Sequence, residues 1–247
     1  MKNFFLPCDA GKTLTLAGWR VEMRAVSFHS AALGKTPMTD AQAASLRLAG
    51  ALLGYPNPDF TARLPELAAS ARALAHEEST WEFANACLDY LALLETRPLQ
   101  ESRQRYVAIF DHTPAASLYM SWHRYGNDRS QGKAMAALNG LYRTAGFEPF
   151  AGDMPDYLPR MLEFLAIAPD WACDALLDGF GPEINALLDT LRKLGADQTG
   201  FLSLALEPLR QQFPGRFLPR RGPDPTQRPM ARPEPEPSGP LIPPDQI

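Results

Sequence analysis

The chain of 247 residues has a net charge of −4 and a pI near 5.6. This acidic balance argues against a dominant nucleic-acid surface, because phosphate recognition relies on clustered Lys and Arg. Hydrophobic residues make up 45% of the chain and charged residues 21%, which is ordinary for a globular protein with a sizeable core. No apolar stretch approaches the roughly 20 residues that span a bilayer, so direct membrane insertion is not expected.

The cysteines and the first residues bear on the compartment. Cys8, Cys87 and Cys173 lie far apart and are odd in number, so they predict neither a disulfide framework nor a zinc motif. The apolar run after Lys2 is too short for a secretory signal, and a twin-arginine pair is absent from the start of the sequence. Together these features favour a reducing, cytoplasmic location.

The folded domain is expected to begin near Met38. Residues 1–37 show neither helical nor strand periodicity and are interpreted as a poorly ordered N-terminal extension. The stretch AQAASLRLAGALLGYP follows Thr39 and Asp40. Either residue can cap a helix there by accepting a hydrogen bond from a backbone N–H. We therefore place the helical domain at residues 38–213.

Apolar residues recur at spacings of three and four along four successive segments, which predicts four amphipathic helices. Their apolar faces contain Phe60, Leu64, Leu67, Ala71 and Leu74; Trp81, Cys87, Tyr90, Leu91 and Leu94; Leu99, Arg103, Tyr106, Val107 and Phe110; and Met135, Leu138, Leu141 and Tyr142. Gly146 is expected to end the fourth helix in a left-handed cap. Later helices are predicted over residues 155–168, 182–194 and 200–212. Strand-like alternation never exceeds about four residues, so the predicted fold is an all-α, single-domain helical bundle.

The last 34 residues differ in composition from the rest. Eleven prolines fall in residues 214–247. Proline lacks a backbone donor and fixes φ, so this segment cannot form a packed helix or sheet. It is predicted to be a disordered tail with polyproline II character.

The stretch GDMPDYLPRMLEFLAIAP, residues 152–169, predicts an acidic loop followed by a helix. With Asp156 as the N-cap, Pro159 falls in the first turn, where a missing N–H is tolerated. Asp153 and Asp156 would then lie near the positive end of the helix dipole. One interpretation is a well-capped structural helix, and the other is part of a rim that holds a segment of a partner protein.

Catalytic signatures are absent from the sequence: it contains no GxxxxGK[ST], GxGxxG, GxSxG or HExxH. Asp111, His112, His123 and Asp128 could gather around a metal, although their spacing matches no recurrent ligand motif. This leaves a metal-dependent helical hydrolase as one alternative. The main expectation is a protein that is not an enzyme and carries neither a metal nor another cofactor.

An ordered series of motifs runs along the predicted domain. They are LAGALLGYPNPDF (48–60), Phe110-Asp111, Ser117-Leu118-Tyr119, YGNDRSQGKAM (125–135), Leu141-Tyr142 with Ala145-Gly146-Phe147, and Met154-Pro155-Asp156-Tyr157-Leu158-Pro159 with Leu162-Glu163-Phe164. Over about residues 39–213 this series resembles the respiratory nitrate reductase assembly chaperones. These are the delta or NarJ type within the TorD-like family of redox-enzyme maturation proteins.

The resemblance implies an all-helical chaperone without catalytic activity. Its partner would be the apo-form of the catalytic subunit of respiratory nitrate reductase, held by its N-terminal segment in the cytoplasm. The chaperone would support molybdenum cofactor insertion before the subunit docks at the membrane. A chaperone for another molybdoenzyme, of the dimethyl sulfoxide or trimethylamine oxide reductase type, is a second alternative. Both a monomer and a homodimer are compatible with the sequence.

The partner-peptide site is predicted from these motifs. An amphipathic client helix would lay its apolar face in a groove, and acidic residues would meet basic residues of the client. The predicted site residues are Asp111, Ser117, Leu118, Tyr119, Trp122, Tyr125, Asp128, Arg129, Asp153, Pro155, Asp156, Leu158 and Pro159.

Overall fold

A computed structural model of the chain describes residues 38–126, 128–147 and 154–220, together with the backbone of residues 13–16, 19–22 and 148–149. Ten α-helices occupy most of this described range, which confirms the predicted all-α fold. They are α1 (Asp40–Leu52), α2 (Pro58–Ala62), α3 (Leu64–Leu74), α4 (Trp81–Thr96), α5 (Leu99–Tyr106), α6 (Met120–Tyr125), α7 (Ser130–Thr144), α8 (Leu158–Ile167), α9 (Asp170–Leu194) and α10 (Thr199–Gln212). None of the described helices is both long enough and apolar enough to cross a bilayer.

Helix α1 begins as its sequence predicts. The Thr39 side chain accepts from the backbone N of Gln42, and the Gln42 side chain accepts from the backbone N of Thr39. This reciprocal capping box satisfies two amide groups that have no intrahelical partner. The helix packs closely on α8, since a Cβ added at Gly50 would lie 2.9 Å from the carbonyl oxygen of Pro159.

Helix α8 occupies the centre of the bundle. Leu158, Met161, Leu162, Phe164 and Leu165 are at most 1% exposed. A helix that is apolar around most of its circumference must be enclosed by its neighbours. The enclosure includes an aromatic cluster in which Phe164 packs against Tyr142 and Phe147, with ring centroids 4.6 and 5.2 Å away.

Three predicted helical faces differ from the structure. The segment from Phe60 to Leu74 is interrupted at Arg63, because Pro65 starts a new helix in its first turn, where its missing N–H is tolerated. Trp81 was expected in the core with the rest of α4, but its side chain is 57% exposed. The third segment is α-helical to Tyr106 and continues as a π-helical turn over Val107–Asp111.

Helix α9 passes through a proline. The prediction that a helix begins at Pro182 is wrong, because α9 starts at Asp170. Proline cannot donate to the carbonyl four residues earlier, here that of Asp178. The Arg220 Nη2 group donates instead to the carbonyls of Asp178 (3.1 Å) and Gly179 (2.6 Å), and Arg124 Nη1 donates to Gly179 (2.8 Å). These two guanidinium groups supply donors where the helical ladder is interrupted.

The segment after α10 folds back on α9. Phe217 is buried, and Arg216 forms ion pairs with Asp174 and Asp178. A Cβ added at Gly181 would lie 2.3 Å from the carbonyl oxygen of Arg216, so only glycine allows this approach. The prediction of a disordered tail from residue 214 is therefore wrong for residues 214–220, because arginine pairing and one aromatic side chain fix them. The rest of that predicted tail, 221–247, lies outside the described residues.

A small antiparallel sheet accompanies the helices. Strands β1 (Thr13–Leu16) and β2 (Trp19–Glu22) form a hairpin, and β2 also pairs with β3 (Phe147–Pro149). The prediction of a poorly ordered N-terminal extension is wrong for these two strands. Four-residue strands give too short an alternation to be recognised by periodicity. The remainder of residues 1–37 lies outside the described residues.

Cys87 and Cys173 are buried free thiols. Burial raises the pKa of both, to about 12 for Cys173. Because the thiolate is the reactive form, these two side chains are chemically inert near neutral pH.

Candidate peptide-binding site

Two of the predicted motifs meet in space, although they are more than 30 residues apart in the chain. Tyr119 and Tyr157 form an isolated antiparallel bridge. The backbone N of Met120 donates to the carbonyl of Asp156 (2.9 Å), and the N of Leu158 donates to the carbonyl of Leu118 (2.8 Å). These bonds hold the start of α6 against the start of α8.

Asp156 is the polar centre of this junction. Its side chain is fully buried, and its Oδ2 accepts from the backbone N (3.0 Å) and the Oγ (2.5 Å) of Ser121. The prediction that Asp156 caps α8 is wrong: Tyr157 is the N-cap, with no side-chain capping bond. Asp156 instead caps α6, because the Ser121 N–H lies in the first turn of α6 and has no acceptor within that helix.

A pocket of about 260 Å³ opens beside this junction. It is lined by Ser117, Tyr119, Trp122, Gln131, Met154 and Asp156. Tyr119 and Met154 are each 44% exposed, so the lining includes two large apolar side chains that are open to solvent. The Tyr119 ring packs on that of Tyr157, with centroids 5.3 Å apart. The pocket therefore joins an exposed apolar rim to buried polar groups.

One polar atom of the pocket lining lacks a partner. Asp156 Oδ1 is buried and accepts no hydrogen bond within the part of the chain that the structure describes. The neighbouring polar groups are already engaged, since Gln131 Nε2 donates to Ser121 Oγ (3.0 Å), which itself donates to Asp156. A buried acceptor without a donor is unfavourable by about 1–3 kcal/mol. Asp156 Oδ1 therefore has unused acceptor capacity beside the pocket.

Five of the predicted site residues are buried: Leu118, Pro155, Asp156, Leu158 and Pro159. The four apolar ones cannot form a docking surface. These side chains are buried because the junction between the starts of α6 and α8 directs them toward the core beneath the pocket. They support the site from below, and the Tyr142 hydroxyl, which donates to the Pro155 carbonyl (2.7 Å), fixes the loop from the same side.

The charged residues predicted for the rim are spread around the junction. Asp111, Asp128 and Arg129 are exposed. Asp128 also accepts from the backbone N of Ser130 (2.7 Å) at the start of α7. Tyr125 is half-buried, with the guanidinium of Arg124 5.2 Å from its ring centroid. Asp153 lies outside the described residues.

Sequence reasoning missed three residues of the site. Ser121, Gln131 and Met154 form its hydrogen-bond relay and its rim, yet none was among the predicted contacts. Gln131 and Met154 belong to the motifs at 125–135 and 154–159, so those motifs were the available signal. No pattern in the sequence indicates that Ser121 pairs with Asp156.

His123 lies beneath the same loop. Its Nε2 lies 2.7 Å from the carbonyl of Ser117, so this nitrogen carries the proton and donates. Burial lowers the pKa of His123 below its usual 6.5, while the Ser117 bond and the charge of Glu183 partly oppose this effect. His123 is therefore a neutral donor that fixes the loop bearing Ser117 and Tyr119.

We expect His123 to make the folded state sensitive to acid. The unfolded chain takes up a proton below pH 6.5, whereas the folded state resists protonation, so stability falls as pH drops from about 7.5 to about 5.5, by at most about 1.4 kcal/mol. His123→Gln keeps an N–H donor without the titration and should lose less stability over this range. Urea unfolding at both pH values measures the difference. His76→Gln, which replaces an exposed imidazole, is the control; a pH dependence unchanged in His123→Gln would contradict the assignment.

The structure gives no support to the hydrolase alternative. Asp111, His112, His123 and Asp128 do not form a metal-holding group, and no other cluster of three such side chains occurs among the described residues. The Nε2 atom of His123 is hydrogen-bonded to the Ser117 carbonyl.

Comparison with known families agrees with the motifs. The family model of the nitrate reductase delta subunit matches residues 61–213, which are 153 of the 247 residues. The chain belongs to this family. The resemblance inferred from the motifs is thereby confirmed, and every residue lining the pocket lies within the part of the chain that matches the delta subunit family.

Two individual relatives share about 30% sequence identity with this chain. This member of the delta subunit family is 28% identical, over 142 residues, to a Bacillus subtilis (strain 168) protein named probable nitrate reductase molybdenum cofactor assembly chaperone NarJ; the match covers 58% of this chain and 75% of the relative. It is 30% identical, over 125 residues, to the Escherichia coli (strain K12) protein named probable nitrate reductase molybdenum cofactor assembly chaperone NarW, covering 51% of this chain and 50% of the relative. The chain thus spans only half the length of the second relative.

A solved structure supports the fold. A protein from Archaeoglobus fulgidus described as a redox enzyme maturation protein superposes with a TM-score of 0.50 at 19% identity, covering 74% of this chain and 99% of that chain. At this level of identity the likeness concerns the fold alone.

Proposed function

We propose that this protein is a chaperone for respiratory nitrate reductase. It binds the catalytic (alpha) subunit in its apo-form, including the N-terminal segment, and supports molybdenum cofactor insertion and assembly before the subunit docks at the membrane. It acts in the cytoplasm and is not an enzyme. The names of the NarJ and NarW relatives support the chaperone role and the nitrate reductase client.

The pocket beside Asp156 carries the proposal. It combines a buried acceptor without a partner, Asp156 Oδ1, with the exposed side chains of Tyr119 and Met154. An apolar rim around a polar group is the usual arrangement of a site that receives a peptide side chain. Within the described chain, Asp156 Oδ1 is the unpartnered buried atom that belongs to a pocket-lining residue, and in this proposal the client supplies its donor.

The client is an amphipathic helix in this proposal. Its apolar face covers Tyr119, Trp122 and Met154, and one donor group reaches Asp156 Oδ1. A pocket of about 260 Å³ admits a side chain rather than a whole helix, so most of the client lies across the exposed rim. Asp111 and Asp128 favour a client with basic residues, because opposite charges speed encounter and fix register.

The proposal is tested by calorimetric titration with a synthetic peptide from the start of the nitrate reductase catalytic subunit. A peptide of about 15 residues makes four helical turns. We expect saturable binding, and we expect Tyr119→Ala to weaken it about tenfold or more, as for an aromatic hot spot. Trp171→Ala removes an aromatic side chain of similar exposure, 40% against 44% for Tyr119, and should leave the affinity unchanged.

Each contrary result has a defined meaning. Equal affinities in the two variants would place the client elsewhere on the molecule. Binding of the corresponding peptide from a dimethyl sulfoxide or trimethylamine oxide reductase, without binding of the nitrate reductase peptide, would assign the chaperone to another molybdoenzyme. Absence of binding to all these peptides would reject the peptide-binding proposal.

A further inference from the structure

A second, larger groove lies on another part of the surface. Its volume is about 820 Å³, and its walls come from the turn between α3 and α4, the first turn of α4 and the outer face of α10. The side chains that define its chemistry are Glu78, Trp81, Glu82, Glu207, Pro208 and Gln211. None of these residues lines the pocket beside Asp156, so the groove is separate from the proposed client site.

The groove selects for a particular kind of segment. It presents three carboxylates, and no lysine or arginine is among its lining residues within the described chain. Trp81 is 57% exposed at the start of α4. An indole face attracts both arginine, through cation–π contact, and proline-rich chains, which dock in aromatic grooves as polyproline II helices. A segment that alternates arginine with proline therefore complements this groove.

The same chain contains such a segment. Residues 225–233 read PTQRPMARP, with Arg228, Arg232 and three prolines but no acidic residue. The two arginines are four residues apart, which is about 12 Å in polyproline II. With three residues per turn, side chains four residues apart project in different directions, toward different carboxylates of the groove in this arrangement. Glu234 and Glu236 follow directly and mark the end of the complementary stretch.

The described C-terminal segment contacts α10, the helix that forms one wall of the groove. The Phe217 ring centroid lies 5.3 Å from the guanidinium of Arg210. Arg210 Nη1 lies 3.7 Å from Glu207 Oε2, a carboxylate of the groove. Arg220 and Pro225 are five positions apart in the chain, a separation that can span about 17 Å. A short tether raises the effective concentration of a segment within its reach to the millimolar range, so weak contacts suffice.

We propose that residues 225–233 dock in the groove of their own chain, with Arg228 and Arg232 facing Glu78, Glu82 and Glu207 and a proline against Trp81. The groove is then a built-in binding site for an arginine–proline segment. The inference does not depend on the identity of the client, because it uses neither the pocket beside Asp156 nor any residue of the client.

Disulfide trapping in the full-length protein tests the proposal. Gln211→Cys on the groove wall is paired with Met230→Cys, in a Cys8→Ser background where Cys87 and Cys173 are buried and inert. We expect rapid intramolecular disulfide formation between positions 211 and 230. Adding Glu78→Arg and Glu82→Arg, both exposed positions, should slow it about tenfold, because the effective concentration at the groove falls when docking is lost.

A charge swap separates docking from simple tethering. Adding Arg228→Glu and Arg232→Glu to the reversed groove should restore the fast rate, whereas a tether without docking is indifferent to all four charges. A rate unchanged by the groove reversal would overturn the proposal. A disulfide that forms only between two molecules would also overturn it, by assigning the groove to the tail of a second copy. Circular dichroism of each variant verifies that the helical domain is folded.

Discussion

Asp156→Ala should destabilise the protein by about 3 kcal/mol, because the buried Ser121 N–H and Oγ lose their shared acceptor. The junction between α6 and α8 depends on that acceptor, and both Asp156 and Ser121 are fully buried. Urea unfolding followed by circular dichroism measures the loss. A decrease below about 0.5 kcal/mol would show that water or another group replaces the carboxyl.

Asp156→Asn separates stability from client binding. The amide retains one acceptor oxygen for Ser121, so the fold should keep its stability to within about 1 kcal/mol. Its NH₂ group replaces the unpartnered Oδ1 with a donor, which cannot receive the client's donor. We therefore expect client-peptide affinity to fall about tenfold or more in a folded protein.

A control for charge accompanies this pair. Asp89→Asn makes the same chemical change at an exposed position on α4, outside the proposed site, where screening leaves only a small effect on affinity. Equal losses in Asp89→Asn and Asp156→Asn would mean that net charge, rather than the acceptor in the pocket, attracts the client. Full affinity in Asp156→Asn would remove Asp156 from the binding site and leave it a structural role.

Gly181→Ala should destabilise the domain by about 1–3 kcal/mol, through overpacking against a backbone that cannot move independently. The new Cβ would lie 2.3 Å from the carbonyl oxygen of Arg216 and 3.0 Å from its carbonyl carbon. Relief of this clash requires displacement of residues 213–220, with loss of the Arg216 ion pairs and the burial of Phe217. Faster tryptic cleavage after Arg216 and Arg220 should accompany the lower stability.

Gly179→Ala is the matched control, two residues away in the same helix. A Cβ at Gly179 meets no described atom within 4 Å. Alanine should therefore be neutral there or stabilising by up to about 1 kcal/mol, since it favours a helix interior more than glycine does. Equal stability of the two variants would contradict the close packing of the C-terminal segment on α9.

The sequence predicted most of the helical architecture but less of the site. The capping box at Thr39 and the left-handed cap at Gly146, with φ of +88°, are local features that the residue types determine. The junction of the motifs at Ser117–Tyr119 and Met154–Pro159 was anticipated only as a shared groove. Which of their side chains face inward depends on tertiary contacts, so Leu118 and Leu158 were assigned to a surface that they in fact support from the core.

The two largest errors share a physical cause. Pro182 predicts a helix start, and residues 214–220 are rich in the polar and proline residues of a tail. The C-terminal segment and the proline-containing part of α9 stabilise each other, because Arg220 donates to the carbonyls of Asp178 and Gly179 just before Pro182. A hydrogen bond between residues about 40 positions apart leaves no periodic signal in either segment.

The hydrogen bonds from Arg124 and Arg220 to the carbonyls just before Pro182 also imply an order in which parts of the fold form during synthesis. The chain emerges N-terminal end first, so the middle of α9 cannot be completed until Arg220 has been made. Arg124, from the helix beside the pocket at Asp156, donates to the same Gly179 carbonyl as Arg220. That carbonyl therefore gains its second donor only after residue 220 has been synthesised. A nascent chain that has not yet reached Arg220 would present the helix beside the pocket without this shared contact.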